Sequence, residues 1–312
     1  MNRRELFKRS AALGLAAGIP SLLAGKCFAG TGGVQAKSAT DKTRPVSNPL
    51  TPPAEGSIPV AFPISEGAVI IDFCGPWEVF QDIEIRGRKD PVFHLYTVAE
   101  TKEPIIASGG MKIIPEYTFR TAPAPKVIVI PAQKANDAML EWIRTSTRST
   151  DVTMSVCTGA YVLAKTGLLS GKSATTFHRA YKDFAVEFPD INLKRGARFV
   201  EDGNLASSGG LTSGMDLAFR VVERYFGREL AEETAYNIEY QGRGWTNPDS
   251  NLVYTAPPRY TADKRLCPVC GMEADPTITS VYKGKTYLFC LRDHKETFDK
   301  APAKFVSAAQ GQ

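Results

Sequence analysis

The 312 residues suffice for one large domain plus a small one, and 43% hydrophobic with 23% charged residues describes a globular chain with a real core. The formal charge of +5 is concentrated at one end: residues 1–29 hold Arg3, Arg4, Lys8, Arg9 and Lys26 against Glu5, and the rest carries 33 basic and 32 acidic side chains, a net of +1. A nearly neutral body lacks the electrostatic footprint of a nucleic-acid binder, so nucleic acid is excluded as an expected partner.

In chain order, Arg3-Arg4-Glu5-Leu6-Phe7-Lys8 resembles a twin-arginine export motif. An apolar stretch, Ala11 to Ala24, follows it, and Cys27-Phe28-Ala29 offers a signal-peptidase site. The apolar run is short for a span and is broken by Gly and Pro, which favours cleavage over a transmembrane anchor. Lys26 before Cys27 makes a poor lipidation site. Residues 1–29 therefore read as a leader addressed to the twin-arginine translocase. The implied location is the periplasm, with no stable membrane insertion after cleavage. Of six cysteines, Cys27 leaves with the leader and five remain: Cys74, Cys157, Cys267, Cys270 and Cys290. Five cannot pair completely.

Residues 30–57 are rich in Gly, Ser, Thr and Pro and read as a flexible linker. From 58 to 245 strand-type and helix-type runs alternate. Strands are expected at Ile58–Ile64, Phe93–Val98, Val127–Ile130, Val152–Val156 and Ser173–Thr176. Helices are expected at Gly75–Ile83, Asn136–Thr145, Gly159–Leu168, Arg179–Phe188 and Ser213–Tyr225. This alternation predicts an α/β fold with a doubly wound, flavodoxin-like, mostly parallel sheet, whose sites lie at the carboxyl ends of strands. Residues 246–263 are polar and Pro-rich and read as a second linker. The last part, 264–308, is too small for a large core and is expected to need a metal or disulfides.

The most informative stretch is Val152-Thr-Met-Ser-Val-Cys157-Thr-Gly-Ala-Tyr-Val-Leu-Ala164. An apolar run stops at a cysteine, and a helix-type run follows at once. This is the pattern of a nucleophile elbow. A thiol at a helix N-terminus feels the positive end of the helix dipole, which favours thiolate. A buried structural cysteine is the rival reading.

The large domain resembles the ThiJ/PfpI superfamily, related to class I glutamine amidotransferases. The resemblance rests on Ile71-Asp72-Phe73-Cys74-Gly75-Pro76-Trp77-Glu78-Val79-Phe80, on Ser155-Val156-Cys157-Thr158-Gly159-Ala160, on Gly167 to Thr176, and on Ser207 to Ala218, in the family's order. The nearest branches are isonitrile hydratase-like proteins and sensor domains of AraC-type regulators. No helix-turn-helix pattern follows, and a leader precedes, so a DNA-binding regulator is disfavoured. The resemblance implies that Cys157 is the nucleophile, that Asp72 is the acidic residue approaching it, and that Thr158 assists. A carboxyl beside a thiolate resists ionisation, so a protonated Asp72 is a plausible proton donor. Its rival role is a helix N-cap before Gly75-Pro76. Where many relatives carry Pro-Gly-Gly, this chain has Pro131-Ala132-Gln133. The backbone of Ala132 and Gln133, with Gly210, forms the candidate oxyanion or pocket lining. His178 stands one residue beyond the place where many relatives carry histidine, so a surface role rivals that of a base. Cys74 reads as small core filling, with a second redox-active thiol as the alternative.

The tail reads Cys267-x2-Cys270, nineteen residues, then Cys290-x3-His294, and resembles a YHS domain related to the TRASH metal-sensing fold. Three thiolates and an imidazole suit zinc, and thiolates also suit Cu(I). A disulfide between two of the cysteines is the rival. Tyr282, Tyr287, Phe289, Phe298 and Phe305 are expected to form the mini-core of this small α+β module. The resemblance, with the leader, thus implies an exported cysteine-dependent hydratase or lyase acting on a small electrophile, an isonitrile or a reactive aldehyde. A non-enzymatic ligand, redox or copper/zinc sensor is the alternative. The Cys157 site itself is expected to need no cofactor. Relatives often dimerise, so a homodimer is a further expected partner.

Overall fold

The computed structural model describes residues 46–255, 266–269 and 274–306, all within one compact unit, Lys42–Gln312. The leader expected over 1–29, most of the first linker and Cys270 lie outside the described residues.

Short apolar runs become strands here because both of their faces are covered. A seven-stranded sheet runs in the order β10-β11-β7-β6-β1-β2-β5. Its members are β1 (Ile58–Pro63), β2 (Phe93–Ala99), β5 (Tyr117–Thr118), β6 (Val127–Ile130), β7 (Val152–Ser155), β10 (Phe199–Asp202) and β11 (Leu205–Ser208). All neighbours are parallel except the β10/β11 hairpin. Within the large domain two small pairs lie outside it: β3 (Ile105–Ile106) with β4 (Lys112–Ile113), and β8 (Ser173–Ala174) with β9 (Asn192–Leu193). The strand expected over Ser173–Thr176 is thus shorter and pairs with β9 rather than joining the main sheet.

The period of two along each strand divides the core. Ile58, Val60 and Phe62 of β1 with Val127 and Val129 of β6 face one layer, and Ala61 with Ile128 and Ile130 face the other. The first layer is covered by α1 (Ile70–Gln81), α5 (Ser213–Phe226) and α6 (Arg228–Asn237). The second is covered by α2 (Asp137–Ser146), α3 (Gly159–Lys165) and α4 (Tyr181–Glu187). The α2 N-terminus is fixed by Asn136, whose side chain accepts from the Met139 N–H at 3.0 Å.

The first helix begins at Ile70, five residues before the expected start, and holds Pro76 inside it. Proline favours a first turn, but here the first amides find tertiary acceptors. Val69 N–H donates to the Ala132 carbonyl at 2.9 Å and Ile70 N–H to Ser108 Oγ at 3.1 Å. Asp72 consequently lies within the first turn and is not the N-cap, which is Val69. Helix α6 and the β10/β11 hairpin were not foreseen. On α5, Arg220, Glu223 and Arg224 form a largely buried ion network with Glu201 of β10 and with Arg228.

The segment read as a second linker packs, in its described part, onto the large domain. Asn251 is buried, accepts from Arg198 Nη1 at 3.2 Å and donates to Ser213 Oγ at 3.3 Å.

The tail has a hairpin, β12 (Asp275–Tyr282) and β13 (Lys285–Phe289), then α7 (Arg292–Lys300) and α8 (Pro302–Val306). Phe298 is its centre, with ring centroids 5.0 Å from Tyr287, 5.1 Å from Phe289, 6.3 Å from Tyr282 and 6.1 Å from Phe305. Cys267 and Val269 complete this core, and Val186 of α4 packs against it. Among the described residues no helix is long and apolar enough to cross a membrane.

Candidate active site

The sheet places the site where strand order reverses, with β1 between β6 and β2, at the carboxyl ends of the strands. Strand β7 ends at Ser155, and two residues later Cys157 has φ 57°, in the left-handed region that non-glycine residues rarely adopt. The turn holds because its groups are tied from several sides. Cys157 N–H donates to the Gly209 carbonyl at 3.0 Å, and the Cys157 carbonyl accepts from Thr176 Oγ1 at 3.0 Å. Gly159 opens α3 so close to β6 that an added Cβ would lie 2.3 Å from the Ile130 carbonyl oxygen and 2.8 Å from that of Pro131. Only glycine passes there.

Asp72, on α1, is completely buried. Its Oδ2 accepts the Ala132 N–H at 3.0 Å, and its Oδ1 has no hydrogen-bond partner. Burial pushes its pKa up to about 6, against the lowering effect of the Ala132 amide. The Cys157 thiol is only 7% exposed, and it is pushed up to about 11, first by burial and then by the Asp72 charge. The amides of Thr158 and Leu211 and the Thr158 hydroxyl oppose that rise by donating to the sulfur. The expected thiolate-favouring effect of the helix terminus is therefore outweighed. A seven-residue helix supplies a small dipole, whereas desolvation and a like charge act on the sulfur directly. Over most of the neutral range the pair therefore carries one proton, held on the thiol, and one negative charge, on Asp72, which reverses the expected protonated carboxyl.

Of the expected site residues, the structure gathers Cys157, Asp72 and Thr158. Ala132 belongs to the same site in another way than expected: its N–H is committed to Asp72. Gln133 is structural, accepting from Ser65 N–H at 2.7 Å and donating to the Pro63 carbonyl at 2.8 Å. Gly210 is a wall, packed so tightly on Phe177 that an added Cβ would lie 2.4 Å from the ring. His178 stacks on Tyr254, with centroids 4.9 Å apart and an interplanar angle of 17°, and among the described residues no hydrogen bond joins it to Cys157 or Asp72. Cys74 is exposed and not core filling. Thr176 and Leu211 were missed. Thr176 stands inside a stretch that carried the family resemblance, and Leu211 acts through its backbone, at φ 53°, where its side chain gives no signal. A separate cavity of about 410 Å³ lies beside the ends of β1 and β2. Its walls include Ile64, Glu100, Phe119 and Met139 but neither Cys157 nor Asp72.

In the tail, Cys267 Sγ, Cys290 Sγ and a ring nitrogen of His294 lie within 4.8 Å of one another. His294 Nδ1 is 3.2 Å from Cys290 Sγ and 3.8 Å from Cys267 Sγ. Cys270 lies outside the described residues.

The chain is 32% identical to isonitrile hydratase from Pseudomonas putida over 176 residues, 54% of this chain and 73% of that protein. It is 23% identical to the HTH-type transcriptional regulator CdhR from Pseudomonas aeruginosa, over 65% of this chain and 63% of that protein. Among solved structures, a ThiJ/PfpI family protein from Pseudomonas syringae superposes with a TM-score of 0.52 at 25% identity, covering 60% of this chain and 77% of that one. The DJ-1/PfpI family profile matches residues 59–224, the span that holds the sheet, the elbow cysteine and its buried carboxyl, and the chain belongs to that family.

Proposed function

We propose that the chain is an exported, cysteine-dependent hydratase acting on a small electrophile, an isonitrile by preference and a reactive aldehyde otherwise. The observation that carries this reading is a thiol on a left-handed elbow whose charge is coupled to a buried carboxyl with one unpartnered oxygen. The two groups resist being anionic together, so a substrate carbon that takes both the sulfur and the proton relieves the site. Cys157 Sγ forms a bond to the isonitrile carbon. The thiol proton passes through Asp72 to that same carbon, leaving a thioimidate. Water then adds to the carbon, the nitrogen takes a proton, and the C–S bond breaks. The products are an N-substituted formamide and the regenerated thiol, with one water consumed. The amides of Thr158 and Leu211 and the Thr158 hydroxyl steady the sulfur when it carries charge.

Incubating the full chain with cyclohexyl isocyanide and following formamide by NMR tests the reading. Turnover that falls at least about a thousandfold in both Cys157→Ala and Asp72→Asn, each folded, supports it. A wild-type protein inert toward isonitriles and aldehydes overturns it.

The tail fits a soft cation. A tetrahedral ion about 2.3 Å from sulfur and about 2.0 Å from nitrogen holds its sulfur and nitrogen donors roughly 3.5 Å apart, and His294 Nδ1 lies 3.2 and 3.8 Å from the two sulfurs. Zinc or Cu(I) would crosslink the small core there, with Cys270 as the fourth donor by spacing. A second reading, a ligand, redox or metal sensor, is favoured by this donor set and by the protonated, shielded state of Cys157. Metal content that survives Cys157→Ala, beside lost turnover, selects the enzyme.

A further inference from the structure

Helix α4 of the large domain meets the tail. Val186 packs against the tail core that includes Cys267 and borders Cys290, whose sulfur lies 3.2 Å from His294 Nδ1, and Asp183 stands one turn earlier on the same helix face. The Asp183 carboxylate is half used. Its Oδ2 accepts from Tyr161 Oη at 3.1 Å, while its Oδ1 is buried with no hydrogen-bond partner. A buried carboxylate oxygen without a donor is costly, and it calls for one. His294 has the matching excess. Its Nδ1 is the nitrogen turned toward both sulfurs, which leaves Nε2–H as a donor directed away from them.

We propose that Asp183 is the outer-shell carboxylate of the tail metal site, accepting from His294 Nε2–H when the ion is bound and so fastening the tail module to the large domain. The inference rests on the metal reading given above. A metal-bound imidazole donates through its other nitrogen more strongly than a neutral one, and the acceptor fixes its tautomer and ring orientation. Tyr161 holds Asp183 in place from below. It stands on α3, four residues after Cys157, so the fastening reaches the elbow helix.

The test titrates the full chain with Zn(II), and separately with Cu(I), against a chromophoric chelator at pH 7.4. Amide hydrogen exchange over 181–187 and 292–300 is recorded with and without the ion. The expected result is one ion bound, affinity lowered about 10–100-fold in Asp183→Ala, and a smaller loss in Tyr161→Phe, which keeps the ring but removes the donor to Asp183. Binding should slow exchange in both segments of the wild type and only in 292–300 of Asp183→Ala. Partial recovery of affinity in Asp183→Glu marks a carboxylate role rather than a packing one. Unchanged affinity and unchanged protection of 181–187 in Asp183→Ala overturn the proposal while leaving the metal reading intact. A wild type that binds neither ion overturns both. Should Asp183→Ala fail to fold, Tyr161→Phe and Asp183→Asn decide by the same readouts.

Discussion

The chain keeps cysteine sulfur in two opposite settings. At the elbow one thiol is locked by a rigid sheet, shielded from water and faced by a carboxyl that raises its pKa. In the tail two sulfurs and an imidazole converge on a core of a few aromatic rings. The elbow is organised before anything binds, because seven strands and six helices fix its backbone. The tail has little apolar area to offer. Its donors are drawn together by a hairpin and one short helix, and an ion would supply the missing cohesion. On the proposed reading, the same element would serve as a reactive atom where the scaffold is strong and as a staple where it is weak.

This contrast can be broken experimentally. The largest effect is expected from metal removal. Chelation should release the tail, at a cost that reaches about 10 kcal/mol for structural zinc, while the thermal transition of the large domain stays in place. A tail that keeps slow amide exchange after chelation would erase the distinction. Next comes Gly159→Ala, which drives a methyl into the Ile130 and Pro131 carbonyls and should lower stability by about 4 kcal/mol, measured by urea unfolding. Relaxation that absorbs the methyl for less than about 1 kcal/mol would show that the elbow is not rigid.

Asp72→Asn sharpens the electrostatic half. The folded pKa of Asp72 is raised to about 6 from an ordinary 3.8, so the native state holds its proton more tightly than the unfolded chain. The stability this group contributes is full below about pH 4 and is lost as pH rises through 6. Asparagine carries no such loss. The variant should exceed wild type by up to about 3 kcal/mol at pH 7.5 and match it near pH 4. Its Cys157 should also alkylate faster at pH 8–9, since the like charge is gone; unchanged alkylation would mean that Asp72 does not act on the sulfur. The smallest effect belongs to His178→Ala. With the ring stacked on Tyr254, turnover should change by less than about threefold. A large loss would restore His178 as a base.

The sheet was legible because parallel strands buried on both faces, such as Val127-Ile128-Val129-Ile130, have no polar positions to blur them. The elbow was legible because the turn imposes Cys157-Thr158-Gly159 at one boundary. Asp72 was legible only through resemblance, since a single carboxylate on a mixed helix announces nothing about burial. Cys74 was misjudged although the spacing held the answer: two residues along a helix is about 200°, so burying Asp72 turns Cys74 outward. Asp202-Gly203-Asn204 carried the signal for the β10/β11 hairpin, and only the shortness of the flanking runs hid it. Asn251 gave no signal, because its burial depends on Arg198 and Ser213, distant in the chain.

The left-handed backbone at Cys157 bears on how such a protein drifts. A non-glycine residue at φ 57° costs on the order of 1 kcal/mol that glycine would recover, and Asp72 likewise weakens the fold at neutral pH relative to asparagine. Each of the two residues is less comfortable than an inert replacement. The backbone at Cys157 and the charge at Asp72 thus each work against stability at neutral pH, so neither feature is explained by what it adds to the fold.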